Sequence, residues 1–558
     1  MGLREKASYS SLVRVLAVAA SLMMMTGETQ RCAAADGSVL WNGIRLPAEW
    51  PPRYEVNIET ESDVMPVPYL AHPPDVIPID VGRQLFVDDF LIQETTLKRT
   101  CHQAEYFRGN PVIEPDRPWE TGTTYGGLPA PAAMVFSDGV WWDPKDKLFK
   151  MWYMGGYNLS TCYAVSEDGI HWSKPELDVV PGTNIVPLDT TSSRGSTTVW
   201  LDPSADTPAW RYIMFKQQGS DDGNDFRMLV FFSEDGIHWR KSLISPPYSG
   251  DRSTAFYNPF RGVWVFSIKQ NLFGRRRKYA ETTDLLRIAD AWEHGDQLPV
   301  WVGADRLDLP HFEMPDKKTR ELYNLDGNAY ESLMLGMFTI YAGKPDHRPK
   351  INQVFLGFSR DGFHWHRPDR RPFLSVSDKP GDWNYGNVQS AGGCCLIVGD
   401  RLHFYCSGRA GHPGTNVSGR CSTGLAFLRR DGFVSMDAEN TEGTLTTRPV
   451  SFSGGHLFVN VDVPKGELRA EVLDLDGTVI APFSREDCEP IQTDSTRAPV
   501  RWRQTSRISD VAGRPVRFRF HMRNGRLYSF WVSPDPSGAS RGYVAAGGPE
   551  FAGATDTP

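Results

Sequence analysis

Short apolar or alternating runs, parted by Asp, Gly, Asn and Pro, recur along the chain. Leu148-Phe-Lys-Met-Trp-Tyr153, Cys162-Tyr-Ala-Val165 and Met228-Leu-Val-Phe-Phe232 are examples. Runs of this length bounded by turn residues predict strands, and no amphipathic segment of helical length interrupts them. One motif follows such runs repeatedly. It appears as Ser166-Glu-Asp-Gly-Ile-His-Trp172, Ser233-Glu-Asp-Gly-Ile-His-Trp239, Ser359-Arg-Asp-Gly-Phe-His-Trp365 and the weaker Arg429-Arg-Asp-Gly-Phe433. The aspartates are 67, 126 and 70 residues apart. The middle gap is twice 63, so a decayed copy is expected at 280–292, with Asp284 and Trp292.

Five units of about 65 residues signal a propeller or solenoid. Upstream hairpins at Asp143-Pro144, Asp202-Pro203 and Asn258-Pro259 bring each unit to four strands. The expectation is an all-β chain with a five-bladed β-propeller over 80–440. Each Asp-Gly sits in a tight turn, and the following Trp packs on the adjacent blade. The run Gln84–Ile92 is expected to supply the strand that closes the ring. Beyond Asn440-Thr-Glu-Gly443, alternating strands with Asp476-Gly477 and Asn524-Gly525 turns predict a β-sandwich over 441–548, then a surface tail over 549–558.

The amino end has a different pattern. Arg4, Lys6 and Arg14 precede an apolar stretch over 15–25, and Ala33-Ala34-Ala35 follows. That is the pattern of a secretory signal over 1–35, ahead of an N-terminal extension over 36–79. Eleven apolar residues are too few to span a bilayer, and no later run reaches that length. A secreted or periplasmic protein without a membrane span is expected. Removing 1–35 leaves cysteines 101, 162, 394, 395, 406, 421 and 488, whose spacings match no zinc pattern. Cys406 and Cys421 are candidates to meet across a hairpin.

Composition narrows the class. Hydrophobic residues make up 40% and charged ones 23%, which is globular, and the net charge of -8 argues against a nucleic-acid binder. The only basic run, Arg275-Arg276-Arg277-Lys278, reads as a solvated loop. No cofactor motif is present. Asp221–Asp225 lacks the twelve-residue calcium loop pattern and reads as a hydrated loop.

In a propeller the first strand of each blade lines a central funnel. Asp138, Asp251 and Asp326 open the first strands of blades one, three and four. Arg194 stands at the start of blade two, Arg252 follows Asp251, and Asn387 and Gln389 open blade five. Each acid also has a plain reading: turns for Asp138-Gly139 and Asp326-Gly327, an ion pair for Asp251 with Arg252. Glu331 lies inside an apolar strand, where a carboxyl would have a raised pKa suited to a general acid. Asp138, Asp251, Glu331 and Asp326 are therefore the candidate catalytic groups, since glycoside hydrolysis needs carboxyls in complementary roles. Arg194, Arg252, Asn387 and Gln389 are candidate substrate-binding groups. Asp143, Asp202 and Asn258 repeat at one hairpin place and read as turn residues. Asp88-Asp89 is a rival acid pair. His171, His238 and His364 recur beside Trp as packing residues, and His102 is isolated.

The Ser-x-Asp-Gly-x-x-Trp repeats and Leu85-Phe-Val-Asp-Asp89 resemble the five-bladed propeller glycosidases of glycoside hydrolase family 32 and its relatives around family 43. The likeness covers about 80–440, with a sandwich behind it as in family 32. It implies a nucleophile at Asp138, a stabilising acid at Asp251 beside Arg252, and an acid at Glu331 in Tyr330-Glu331-Ser332. Asp138-Gly139 stands where the family has Asn-Asp-Pro-Asn. Two functions follow: a secreted hydrolase of an oligo- or polysaccharide, or a non-catalytic carbohydrate- or protein-binding propeller. The first requires the acids to converge in one funnel. The second pairs them with Arg194 or Arg252.

Overall fold

The computed structural model describes residues 37–55, 63–188, 194–219, 226–247, 249–272, 274–292, 295–317, 320–505 and 507–558. The signal pattern over 1–35 and the Asp221–Asp225 loop lie outside them. Among the described residues, five antiparallel sheets follow one another along the chain. Their inner strands are β1 (Ala133–Asp143), β2 (Thr197–Leu201), β3 (Thr254–Asn258), β4 (Glu321–Glu331) and β5 (Gly386–Ser390). Side chains from all five meet on a common axis, so the sheets are blades of a β-propeller. Nearly every residue of these strands is buried, so polar side chains such as Asp138, Asp326 and Asn328 are enclosed along with the apolar ones.

The repeat works as a bracket between blades. Asp168 Oδ1 accepts from the backbone N–H groups of Ile170 and His171, both at 2.8 Å, and Oδ2 meets His171 Nδ1 at 2.7 Å. Asp235 and Asp361 do the same with His238 and His364. The bracketed loop then reaches its neighbour. Trp152 of blade one donates to the Gly236 carbonyl at 2.7 Å, and Trp301 of blade three donates to the Phe363 carbonyl at 2.8 Å. Trp172 stands edge-on to Tyr405 of blade five. In the decayed copy Trp292 still crosses, donating to the Pro247 carbonyl at 3.0 Å.

The glycine is obligatory here. Gly236 has φ +82°, and a Cβ on it would lie 2.4 Å from the Trp152 ring. Gly236→Ala is expected to destabilise by about 2–4 kcal/mol, from left-handed backbone strain plus overpacking. Gly477, at φ +85° with open space around it, should lose less on the same change, by denaturant unfolding.

Three expectations are corrected. The ring is closed by Glu105–Tyr106, which pairs with the outer part of blade five at Ala426 and Phe427. Gln84–Leu85 instead pairs with Ser529–Phe530 in the sandwich, where the adjoining Phe86 stacks on Phe530 in that core. The run Arg275–Lys278 is no loop: it begins the blade-three strand Arg275–Thr282, and Arg277 is fully buried because its guanidinium satisfies backbone carbonyls near the axis. Cys406 and Cys421 lie opposite Gly424 and Arg409 rather than each other, and all seven described cysteines are free thiols.

The sandwich packs a six-stranded sheet on a four-stranded one around Phe518, Phe520 and Phe530. It draws strands from Gln84–Leu85, Ile92–Thr95 and Lys98–Cys101 as well as from the later part of the chain. The last segment returns to the propeller before residue 548. Tyr543–Val544 pairs with the end of β4, and Ala546 bonds backbone groups of Trp142 and Cys395.

Candidate functional site

Regular alternation would point half of each inner strand away from the axis. Three of the five break it. In β1 the pairing jumps from Met134–Met154 to Gly139–Trp152, which bulges the intervening residues and holds Ser137 at φ +61°. In β4 it jumps between Leu322 and Asn324, leaving Tyr323 as the extra residue. In β5 it jumps between Gly386 and Gln389, with Asn387 at φ +52°. Bulges re-aim side chains and raise local twist, and these three surround one place.

Two carboxyls sit there. Asp138 is fully buried; one oxygen pairs with Arg194 and the other accepts from Phe136 N–H at 3.2 Å. Arg194 is fixed in turn by Thr161, to which its Nε donates at 3.0 Å. Burial pushes Asp138 above the usual carboxylate range against the pull of Arg194. Asp326 is 2% exposed. Its Oδ2 accepts from Ser390 at 2.5 Å, Asn324 at 2.9 Å and Ser137 at 3.2 Å. Its Oδ1 is buried with no hydrogen-bond partner. Burial, outweighing those donors and Arg252, raises its carboxyl to about 6.

Arg252 ties the centre together. Nη1 donates to Ser196 at 2.6 Å, and Nη2 to Gln389 Oε1 at 2.7 Å and Ser137 at 3.3 Å. Its guanidinium lies 3.7 Å from the Phe136 ring centroid. Asn387 stands beside Gln389, Asn352 and Arg409. Asp138, Asp326, Arg194, Arg252, Asn387 and Gln389 are thus brought together, with every blade contributing.

Asp251 and Glu331 are not. Asp251 is at the rim with its side chain 54% exposed, and its partner is Lys269 at 2.8 Å, not Arg252. Burial would raise it, but Lys269 and nearby Arg252 and Arg275 hold it below its ordinary value. Glu331 lies at the far end of β4, five residues beyond Asp326. It is fully buried, but against Arg83, Arg430 and Ser540 at the junction with the sandwich, so its place is structural. The apolar strand that suggested a raised carboxyl does raise it by burial, away from the axis. The Asp88-Asp89 pair also divides. Asp88 is buried against Arg360 at 2.9 Å, while Asp89 is exposed beside Arg99.

Ser137, Tyr323, Asn324, Ser390 and Arg409 join the centre without having been foreseen. Ser137, Asn324 and Ser390 are revealed by their hydrogen bonds to Asp326, Tyr323 by its ring beneath Arg252, and Arg409 by its contact with Asn387. A cleft of about 480 Å³ lies at the opposite end of the inner strands, between Trp142, Trp200, Trp264 and the C-terminal segment, and none of the candidate acids lines it. No group of three His, Cys, Asp or Glu side chains able to hold a metal ion occurs among the described residues. No described helix is long and apolar enough to cross a membrane. Chemically, the centre offers one carboxyl that carries a proton up to about 6 and has a free oxygen, beside a second carboxyl held by arginine.

No family model and no curated protein matches the chain. Solved structures do resemble it. A glycosyl hydrolase from Bacteroides ovatus has a TM-score of 0.39 at 11% identity, over 62% of this chain and 97% of that one. A thermostable family-43 glycoside hydrolase has 0.38 at 12%, over 56% and 96%. A fructofuranosidase from Schwanniomyces occidentalis has 0.32 at 13%, over 75% and 97%.

Proposed function

We propose that the protein is a glycoside hydrolase acting, after export, on an oligo- or polysaccharide at the centre of the propeller. Asp326 carries the reading: a buried carboxyl at the meeting of five strands, protonated up to about 6, with one oxygen left unpartnered. In its protonated form Oδ1–H donates to the leaving glycosidic oxygen as the C–O bond breaks, and a water then bonds to the anomeric carbon and returns a proton to the Asp326 carboxylate. Ser390, Asn324 and Ser137 hold Oδ2 and so orient the acid. Asp138, paired with Arg194, faces the positive charge that develops at the anomeric carbon. Arg252, Gln389 and Asn387 position sugar hydroxyls.

A second reading, a non-catalytic carbohydrate-binding propeller, is favoured by the burial of Asp138 within its ion pair with Arg194. One experiment separates them. Wild type and Asp138→Asn are screened against a panel of glycans for released reducing sugar, with binding followed by calorimetry. Release that falls at least about 100-fold in the variant while binding persists supports the hydrolase. Binding without release by either protein supports the second reading and overturns the first.

A further inference from the structure

The chain is acidic overall, at -8, yet the centre of its propeller is cationic. Arg252, Arg277 and Arg409 are each at most 4% exposed. Among the described residues, none of the three has a carboxylate at ion-pair distance; their acceptors are neutral. Arg252 donates to Ser196, Gln389 and Ser137. Arg277 donates to the carbonyls of Arg252, Leu322 and Tyr323. Arg409 reaches Asn387 and the Met134 sulfur. The Nε groups of Arg252 and Arg277 are buried without an acceptor.

Two more cations gather on the same tyrosine. Lys350 Nζ donates to Tyr323 Oη at 2.8 Å, and the Arg275 guanidinium lies 5.1 Å from that ring. The carboxylates nearby are already engaged: Asp138 by Arg194, Asp251 by Lys269, and Glu321 by Arg275 and Lys317. Asp326, raised to about 6 by its burial, is the one carboxyl left among the described residues to face Arg252 and Arg277. The surplus is felt by the groups around it. Burial, with Arg252 alongside, lowers Arg277 to about 9, and Tyr323 is held below its ordinary value because Lys350, Arg252 and Arg409 outweigh its own burial.

Three buried arginines outnumber the single Asp326 carboxyl that faces them, and burying unpaired charge is costly, so the surplus points to an anion that arrives with the ligand. Arginine also matches planar acidic groups in shape, through paired N–H donors. We propose that the funnel takes an anionic saccharide, its acidic substituent lodging against Arg252, Arg409 and Lys350 while the sugar lies along Phe136 and Tyr323. The inference rests on the glycan-acting reading of this site and narrows its substrate class to sugars bearing a carboxylate or a sulfate.

The test is calorimetric titration of the full chain with matched pairs. Oligogalacturonate is compared with its methyl ester, and a sulfated galactan oligosaccharide with its desulfated form. Ring and linkage stay fixed within each pair, so the difference isolates the acidic group. The acidic member of at least one pair should bind about tenfold or more tighter, the scale of one hydrogen bond to a charged group. That advantage should shrink as salt rises. Lys350→Gln should remove most of it, whereas Lys98→Gln on the sandwich, an equal change in net charge, should not. The responding pair identifies the substituent as carboxylate or sulfate. Neutral members binding as tightly as acidic ones overturns the anionic specificity and leaves the glycan reading standing. No binding by either pair, or by glucan, xylan and fructan oligosaccharides, overturns both.

Discussion

Asp326→Asn is expected to lower kcat/KM for an unactivated glycan by about 10²–10⁴-fold, the usual contribution of a positioned acid. Asparagine keeps the shape and one oxygen for Ser390, Asn324 and Ser137, but it has no proton to give. The loss should be far smaller on aryl glycosides whose leaving group departs without protonation. A structural role for Asp326 would hurt both substrates alike. Wild-type activity should fall as pH rises through about 6, where the acid loses its proton, and the variant should lack that limb. Stability gives an independent sign. The folded pKa stands above the ordinary 3.8, so Asp326 contributes fully to stability below that value, and its contribution is lost as pH rises through about 6. The variant's Tm should therefore not fall relative to wild type at neutral pH. Unchanged hydrolysis in the variant, or lost activity accompanied by lost folding and binding, would remove Asp326 from the mechanism.

The sequence makes the blades legible because their bracket is local. Asp, Gly, His and Trp do the same work within seven residues in each clear copy, so the motif survives as a string. The position of Asp138 and Asp326 is legible for a related reason: both stand five residues before the hairpin that ends their inner strand. Glu331 and Asp251 were misplaced because strand counting says nothing about depth along the axis. One occupies the far end of β4 and the other the rim. Tyr323 and Ser137 were invisible because a bulge is a mismatch between two strands and leaves no trace in either one alone. The basic run misled for a further reason. Arg277 has a charged name but spends its charge on backbone carbonyls, an arrangement set by strands far apart in sequence.

Arg83→Met is expected to destabilise the whole chain by about 3–5 kcal/mol, the cost of stranding buried charge. Arg83 is 1% exposed and lies between two buried carboxylates, its Nε 3.4 Å from Glu331 and its Nη1 3.0 Å from Asp431. It also stacks on Trp531 of the sandwich at 4.2 Å. Glu331 ends β4, Asp431 belongs to the weakest copy of the repeat, and Ser540, which donates to Glu331 at 2.7 Å, belongs to the C-terminal segment. Tyr330 and Ser529 donate to Asp431 at 2.6 and 2.7 Å. Burial would raise Asp431, but Arg83 and Arg430 hold it near 2, so its contribution to stability is lost only as pH falls towards that value. Without Arg83, Glu331 and Asp431 must share Arg430, which also pairs with Asp556. Glu331→Gln added to Arg83→Met should recover part of the loss, because the double variant has one buried charge fewer to satisfy. Arg514→Met, at an exposed arginine, serves as the control in denaturant unfolding. A loss no larger than that of the control would mean that the junction between propeller and sandwich is held by its apolar contacts alone, with the ion cluster contributing nothing.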